Sequence, residues 1–306
     1  MELSEILAPA KLNLDLQIGG KQPDGFHDIK SVILALNFGD IIKIEILPPR
    51  QAKPDIEINM NWHVFPAEDI PLEKNLVFRA ISLFKSFIGY NFSVFVEIDK
   101  YIPTGGGLGG GSSDAASMLK TLNCLVHEGK MLCTNEELME MGASLGSDIP
   151  FFLSNTTAAL VSGRGEKVQI LNLPPSVYGL SFVLVNPENP CNTASVYNLL
   201  DIWRKETNFC QNFQFFETEQ LQKIFSSPPS NWPFYNDFLP VFQTENYIKI
   251  FDSLKILGAE FSGLSGSGSV CFGVFSDYQK ALKAKTMLEK RWPFTILTFP
   301  YLRALY

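Results

Sequence analysis

The 306-residue sequence has no CxxC pair, only three histidines far apart, and five widely spaced cysteines: Cys124, Cys133, Cys191, Cys210 and Cys271. A zinc site needs several such ligands at short spacing, so no metal-ligating set is expected. An odd number of scattered cysteines reads as the reduced thiols of a cytoplasmic protein rather than a disulfide framework. No run approaches ~18 apolar residues, which excludes a transmembrane helix. The opening MELSEILAPAKLN is acidic first, and its apolar run is too short for a signal peptide, so a cytoplasmic location is expected. There is no Lys/Arg block either. With 25 basic against 32 acidic residues the formal charge is −7, and nucleic acid is not expected as a partner, because neutralising phosphates takes clustered positive charge. Repeats and low-complexity tracts are absent, and nineteen scattered prolines argue against a coiled coil. What is present, 46% hydrophobic and 19% charged residues, is the composition of a globular protein with chain enough for one large or two ordinary domains.

The first strong pattern is strict alternation from Lys11 to Ile18. Leu12, Leu14, Leu16 and Ile18 face one way, and Lys11, Asn13, Asp15 and Gln17 the other, which predicts a half-buried strand. A Gly/Pro/Asp-rich loop follows at 19–28, then strands at 41–46 and 55–60. Asn75 can cap a helix on which Val77, Ile81, Phe84 and Ile88 recur near the 3.6 period. A strand at 91–98 runs into a glycine cluster, after which a helix is expected to begin at Ser112, Ser113 and Asp114. A second helix opens with a capping box, Thr134 to Glu137, and stops at Gly146. Further on the pattern predicts a strand at 182–185, a helix near 194–203, a poorly patterned stretch at 208–240, a helix near 245–257, a strand at 269–275 and a helix from 277 to about 290. Strands and helices mix without regular βαβ alternation, so the fold class is α+β. A domain boundary is expected near residue 160.

Six of the seven residues from Gly105 to Gly111 are glycine, between a predicted strand and a predicted helix. Glycine lets the backbone take positive φ and approach a ligand closely, so several N–H groups can converge on one anion, and the helix start adds its own N–H groups and dipole. The stretch reads as a phosphate cradle, with Ser112 and Ser113 able to offer hydroxyls to a phosphate or its Mg²⁺. A flexible linker is the alternative, which the strand-and-helix setting disfavours. A second glycine-serine cluster at 263–269 reads by itself as a turn or as part of a paired anion site. On the residues alone, Lys11 is an exposed strand lysine, Asp148 an ordinary turn aspartate after a helix stop, and His27 structural or functional.

Taken together the motifs resemble those of the GHMP small-molecule kinases, the group of galactokinase and the homoserine, mevalonate and phosphomevalonate kinases. PTGGGLGGGSS at 103–113 is similar to their central motif and LSGSGS at 264–269 to their C-terminal glycine loop. PAKLNL (9–14), DGFH (24–27), NLVFRA (75–80), LGSDIP (145–150), GRGE (163–166), NTASVY (192–197) and the pair Asn236-Asp237 appear in order, as in the branch that acts on cytidine diphosphate-linked methylerythritol in isoprenoid precursor biosynthesis. The resemblance implies a two-domain fold, an ATP-binding domain at 1–160 and a substrate-binding domain at 161–306, with the active site in the cleft between domains. It implies ATP and Mg²⁺ as cofactors and transfer of the ATP γ-phosphoryl group to a tertiary hydroxyl. Lys11 and Asp148 match the catalytic pair, the aspartate accepting the hydroxyl proton. Asn75, Leu76, Lys100, Pro103, Gly105, Gly106, Gly107, Gly109, Gly110, Gly111, Ser112 and Ser113 match the ATP site. Asn13, Phe26, His27, Thr193, Tyr197, Gly266 and Ser267 match the substrate site, with His27 reading the cytosine edge and Phe26 and Tyr197 sandwiching the base. Phe26 stands where the family commonly has tyrosine, and Asp114 where relatives carry asparagine. The partner implied is a small molecule, with no nucleic acid or membrane, and the protein a monomer or homodimer. Another GHMP kinase, of homoserine or mevalonate type, and a non-catalytic ligand-binding protein of the same fold are the alternatives.

Overall fold

The computed structural model describes residues 4–49, 54–64, 67–125, 132–187, 191–209 and 216–302. Cys210 and part of the poorly patterned 208–240 stretch lie outside the described residues; Cys124, Cys133, Cys191 and Cys271 are free thiols. Contacts divide the chain into two compact units that are not consecutive blocks. Unit 1 comprises Met1–Ala10, Gly39–Thr104 and Gly109–Asn155, and unit 2 comprises Lys11–Phe38, Gly105–Leu108 and Thr156–Tyr306. The chain therefore passes from one unit to the other inside the first strand, the second strand and the glycine loop.

Strand β1 covers Ser4–Lys21 and β2 covers His27–Leu47, much longer than the short strand expected at 41–46. In unit 1, residues Ile41–Leu47 of β2 pair antiparallel with β4 (Ser93–Lys100), and β3 (Ile56–Trp62) lies parallel to β4. Two parallel neighbours need a crossover, and helix α1 (Leu76–Ile88) supplies it. Asn75 caps α1 by accepting from Val77 N at 2.8 Å, and Gly89 closes it in the left-handed conformation at φ +63°. The buried face of α1, Val77, Ala80, Ile81 and Phe84, is the one the sequence period marks, and α1 packs on α2 (Gly110–Leu125). Helix α3 (Asn135–Leu145) begins with the expected capping box at Thr134 and Glu137. A five-residue helix α4 (Ile149–Leu153), which the sequence did not announce, packs on α2 and α3.

In unit 2, residues Ile29–Leu34 of β2 pair antiparallel with β5 (Ala158–Gly163), which pairs with β6 (Lys167–Ile170). After a single helical turn α5 (Pro175–Tyr178), a second, fully antiparallel sheet has the order β10 (Thr295–Thr298), β7 (Ser181–Val185), β9 (Cys271–Phe275), β8 (Phe261–Leu264). Helices α6 (Thr193–Thr207), α7 (Thr218–Phe225), α8 (Glu245–Ile256) and α9 (Tyr278–Leu288) complete the unit. Its core joins Leu16 and Ile18 of β1 to Val183, Val185, Phe238, Ile250, Leu254 and Phe275. The α+β class stands. No helix among the described residues is long and apolar enough to cross a membrane.

Two expectations are corrected. The polar face of β1 is not exposed: Lys11, Asn13, Asp15 and Gln17 are 5, 3, 3 and 7% exposed, as deeply placed as the leucines between them. Buried polar groups are tolerated when hydrogen-bonded, and these bond to one another and to neighbouring loops. Helix α2 starts at Gly110, so Ser112, Ser113 and Asp114 lie inside its first turns instead of opening it.

Candidate active site

In unit 2 the polar face of β1 is the floor of the site. Lys11 Nζ donates to Asn13 Oδ1 at 2.5 Å, Asn13 Nδ2 to Ser31 Oγ at 2.7 Å, and Ser31 Oγ to the Asp15 carbonyl at 2.5 Å. Asp15 accepts from Tyr235 N and Gln17 Nε2, each at 2.9 Å. Burial nevertheless raises its pKa from the usual 3.8 to about 6, with the Asp237 charge adding to the rise.

Both glycine loops meet on this floor. Lys11 N donates to the Leu108 carbonyl at 2.9 Å, and Ser265 Oγ donates to the Gly107 carbonyl at 2.9 Å and accepts from Asn13 N at 3.3 Å. Ser269 N and Val270 N donate to the carbonyls of Gly105 and Gly106 at 3.1 and 3.2 Å. Asn236 Nδ2 ties the second loop from behind through the Leu264 and Gly266 carbonyls. Gly105 and Gly107 have φ of +67° and +74°, and a Cβ on Gly107 would lie 2.0 Å from the Ser265 carbonyl oxygen. Only glycine fits there. Carbonyls thus point into the loop–loop contact. The two loops are thus held together by hydrogen bonds in the fold.

The same unit holds a cluster of aromatic and polar side chains. His27 is nearly buried; its Nε2 lies 2.9 Å from Asp201 Oδ1, and its ring stacks on Tyr197 with centroids 4.9 Å apart and planes at 28°. Tyr197 meets Phe238 edge-on. The tyrosine's stacked partner is therefore His27, while Phe26 stands exposed beside it in the chain. Asp201 was missed; it lies four residues after Tyr197 on α6, a spacing that places two side chains on one helix face. Thr193 Oγ1 and Ser267 Oγ are 3.1 Å apart, linking the α6 start to the second glycine loop.

Unit 1 holds the remaining predicted residues. The Asn75 side chain is used as the α1 cap and donates to Met60 Sδ at 3.5 Å; Leu76 opens that helix, half-buried. Pro103 is buried, Gly109 has φ +73°, and Gly110 and Gly111 begin α2. Lys100 is only 6% exposed. Its Nζ donates to Asp40 and, at 2.6 Å, to Asp114 Oδ2, while Asp40 Oδ1 accepts from Tyr101 N and Ile102 N at 2.6 and 2.8 Å. Burial works against the ammonium, but the Asp114 and Asp40 charges outweigh it and hold its pKa above the usual value. Burial also lifts Asp114 to about 7. Lys100 is thus a strut fastening the end of β4 to α2, with its charge taken up by two carboxylates. Asp40 gave no signal in the sequence: sixty residues separate it from Lys100, and nothing local marks it.

Ser112 is half-buried, and Ser113 fully buried with its Oγ lacking a hydrogen-bond partner, as does Asp114 Oδ1. An orphaned hydroxyl at a helix start is what a phosphate oxygen can satisfy. Asp148 is half-buried at the N-cap of α4, and its side chain does not cap that helix. Among the described residues no group of three or more His, Cys, Asp or Glu side chains could hold a metal ion.

Residues 75–156 match the model of the GHMP kinases N terminal domain. The chain is 40% identical over 197 residues to the chloroplastic 4-diphosphocytidyl-2-C-methyl-D-erythritol kinase of Arabidopsis thaliana, over 64% of this chain and 48% of that one, so it spans about half of that plant relative's length. With the 4-diphosphocytidyl-2-C-methyl-D-erythritol kinase of Syntrophomonas wolfei it shares 33% identity over 96% of this chain and 97% of the relative. A crystal structure of 4-(cytidine 5'-diphospho)-2C-methyl-D-erythritol kinase superposes with a TM-score of 0.75 at 27% identity, covering 98% of this chain and 100% of that one.

Proposed function

Since the chain belongs to the 4-diphosphocytidyl-2-C-methyl-D-erythritol kinase family of the GHMP kinases, we propose that it transfers the γ-phosphoryl group of ATP to the 2-hydroxyl of 4-diphosphocytidyl-2-C-methyl-D-erythritol. The observation that carries this reading is the glycine loop, braced by Ser265 and β1 in unit 2 and running into α2 in unit 1. An acidic protein without a basic patch binds phosphates where backbone N–H groups and a helix start supply the positive field. Phosphoryl transfer asks chiefly for positioning and charge neutralisation, and the loop supplies both.

In this reading Asp148 takes the proton of the acceptor hydroxyl as its oxygen forms the new P–O bond and ADP leaves. Lys11, oriented by Asn13, supplies a cation toward the reacting groups. Ser112 and Ser113 turn hydroxyls toward the ATP phosphates. Their hydroxyl oxygens would suit Mg²⁺, which when bound would neutralise phosphate charge. His27, held by Asp201, reads the base edge beside Phe26 and Tyr197, and Thr193, Gly266 and Ser267 line the same substrate side. The nucleotide then falls to the rest of residues 1–160, and the second substrate to 161–306 together with Asn13, Phe26 and His27, in a cytoplasmic monomer or homodimer.

The test is ATP consumption by the purified chain with the cytidyl substrate, homoserine and mevalonate in parallel. Turnover with the first alone is expected. Turnover with homoserine or mevalonate instead would replace the substrate, and turnover with none would leave a ligand-binding protein.

A further inference from the structure

β5 and β6 are joined by the turn Arg164-Gly165-Glu166, and β1 and β2 by the turn at 22–26. Pairing of Ile29 with Gly163 brings the two turns side by side in unit 2. Both are tightly fixed. Gln22 N donates to the Phe26 carbonyl at 2.7 Å, Phe26 N to Asp24 Oδ1 at 3.0 Å, and Arg164 N to Glu166 Oε2 at 2.7 Å. Gly163 and Gly165 take φ of +71° and +119° to make the second turn.

The Arg164 guanidinium follows from this placement. It pairs with Asp24 Oδ2 and lies over the Phe26 ring, 4.1 Å from its centroid. The Phe26 N–H bond and the Arg164 charge hold the Asp24 carboxyl below its usual range. Asp24 therefore joins the backbone of Phe26 to the cation that covers its ring. Phe26 is still 55% exposed. A large apolar side chain left in water would ordinarily move among rotamers. This one is clamped, with a guanidinium over its ring while much of its surface stays open to solvent. Arg164 with Gln22, Asp24, Asp28, Glu166 and Lys167 also lines an open cleft of about 420 Å³.

We propose that Arg164 is a positioning and specificity-determining residue for the base of the acceptor substrate, bracing Phe26 as a flat platform whose free face stacks a pyrimidine. A platform ordered beforehand binds a planar ring without the loss of side-chain freedom that a mobile ring would suffer. A cation over an aromatic face holds it in place. The inference rests on reading the site as one for a cytidine nucleotide, and adds to it a residue from a different hairpin.

Arg164→Met keeps the apolar stem and removes the cation; the side chain is half-exposed, so the fold is not at stake. The measurements are KM for the cytidyl substrate and for ATP, kcat, and calorimetric binding of cytidine diphosphate. Arg164→Met should raise the KM for the cytidyl substrate and weaken cytidine diphosphate binding by about three- to tenfold, leaving ATP KM and kcat near wild type. Arg164→Lys should recover part of the loss. In a Phe26→Ala background, Arg164→Met should change nothing further, which a general effect of the hairpin would not reproduce. Unchanged binding in Arg164→Met, or an equal loss with Phe26 absent, overturns the inference while the kinase reading stands. A wild type that neither turns over the cytidyl substrate nor binds cytidine diphosphate overturns both.

Discussion

Asp148 stands at the N-cap of α4, and that short helix follows Gly146 at the end of α3. Asp148→Asn keeps the size and removes the proton acceptor, so kcat should fall by on the order of 10²–10⁴ while ATP KM changes little. Steady-state kinetics decide it; a kcat within a few-fold of wild type would leave positioning alone to carry the transfer. At this scale the sequence was readable where the chemistry is local. Asn75 announced a cap and is one, and Thr134 with Glu137 announced a capping box that the fold forms. It was unreadable where partners are distant. Lys100 meets Asp40 and Asp114 across three elements, and His27 meets Asp201 far along the chain. No spacing rule ties such pairs.

Among the elements, periodicity revealed β1, α1, α3 and α9, long enough to show a repeat. It did not reveal α4, of five residues, or β6, β8 and β10, of four each, because so few residues fit a helix or a strand pattern equally well. The strict alternation in β1 was visible but misread as a solvent-facing side, since the pattern gives the two faces and not what covers them. The glycine loop shows where element-level geometry decides function. Gly107→Ala puts a methyl group 2.0 Å from a backbone oxygen at φ +74°, and neither side can yield. It should abolish nucleotide binding and lower stability by several kcal/mol, at the strained-backbone and overpacking end of the range. Gly20→Ala, with nothing within 4 Å, is the control and should leave the urea midpoint nearly unchanged. Equal behaviour of the two variants would mean that the loop relaxes around the methyl group.

For the whole molecule, buried carboxyls set a pH dependence. The native state holds the Asp15 proton with a pKa of about 6 against the usual 3.8, more tightly than the unfolded chain does. Asp15 therefore destabilises the fold progressively as pH rises from about 4 to 6, and the loss is complete above that window. The difference corresponds to about 3 kcal/mol at most. Asp15→Asn removes it, so the variant should gain on wild type between pH 4.5 and pH 8 by on the order of 2 kcal/mol, read from urea unfolding at both. A stability difference that does not vary with pH would show that Asp15 titrates normally.

The division of the chain has a consequence for modularity. Unit 2 includes residues 11–38 and 105–108 besides its long C-terminal part, and its second glycine loop is bonded to Gly105, Gly106 and Gly107 and to Asn13. A fragment starting at residue 161 would lack the strand beneath that loop and the carbonyls against which it rests. The two halves of the gene therefore do not encode separable parts. They cannot be exchanged by recombination at a single crossover, and each glycine loop constrains which substitutions the other can accept.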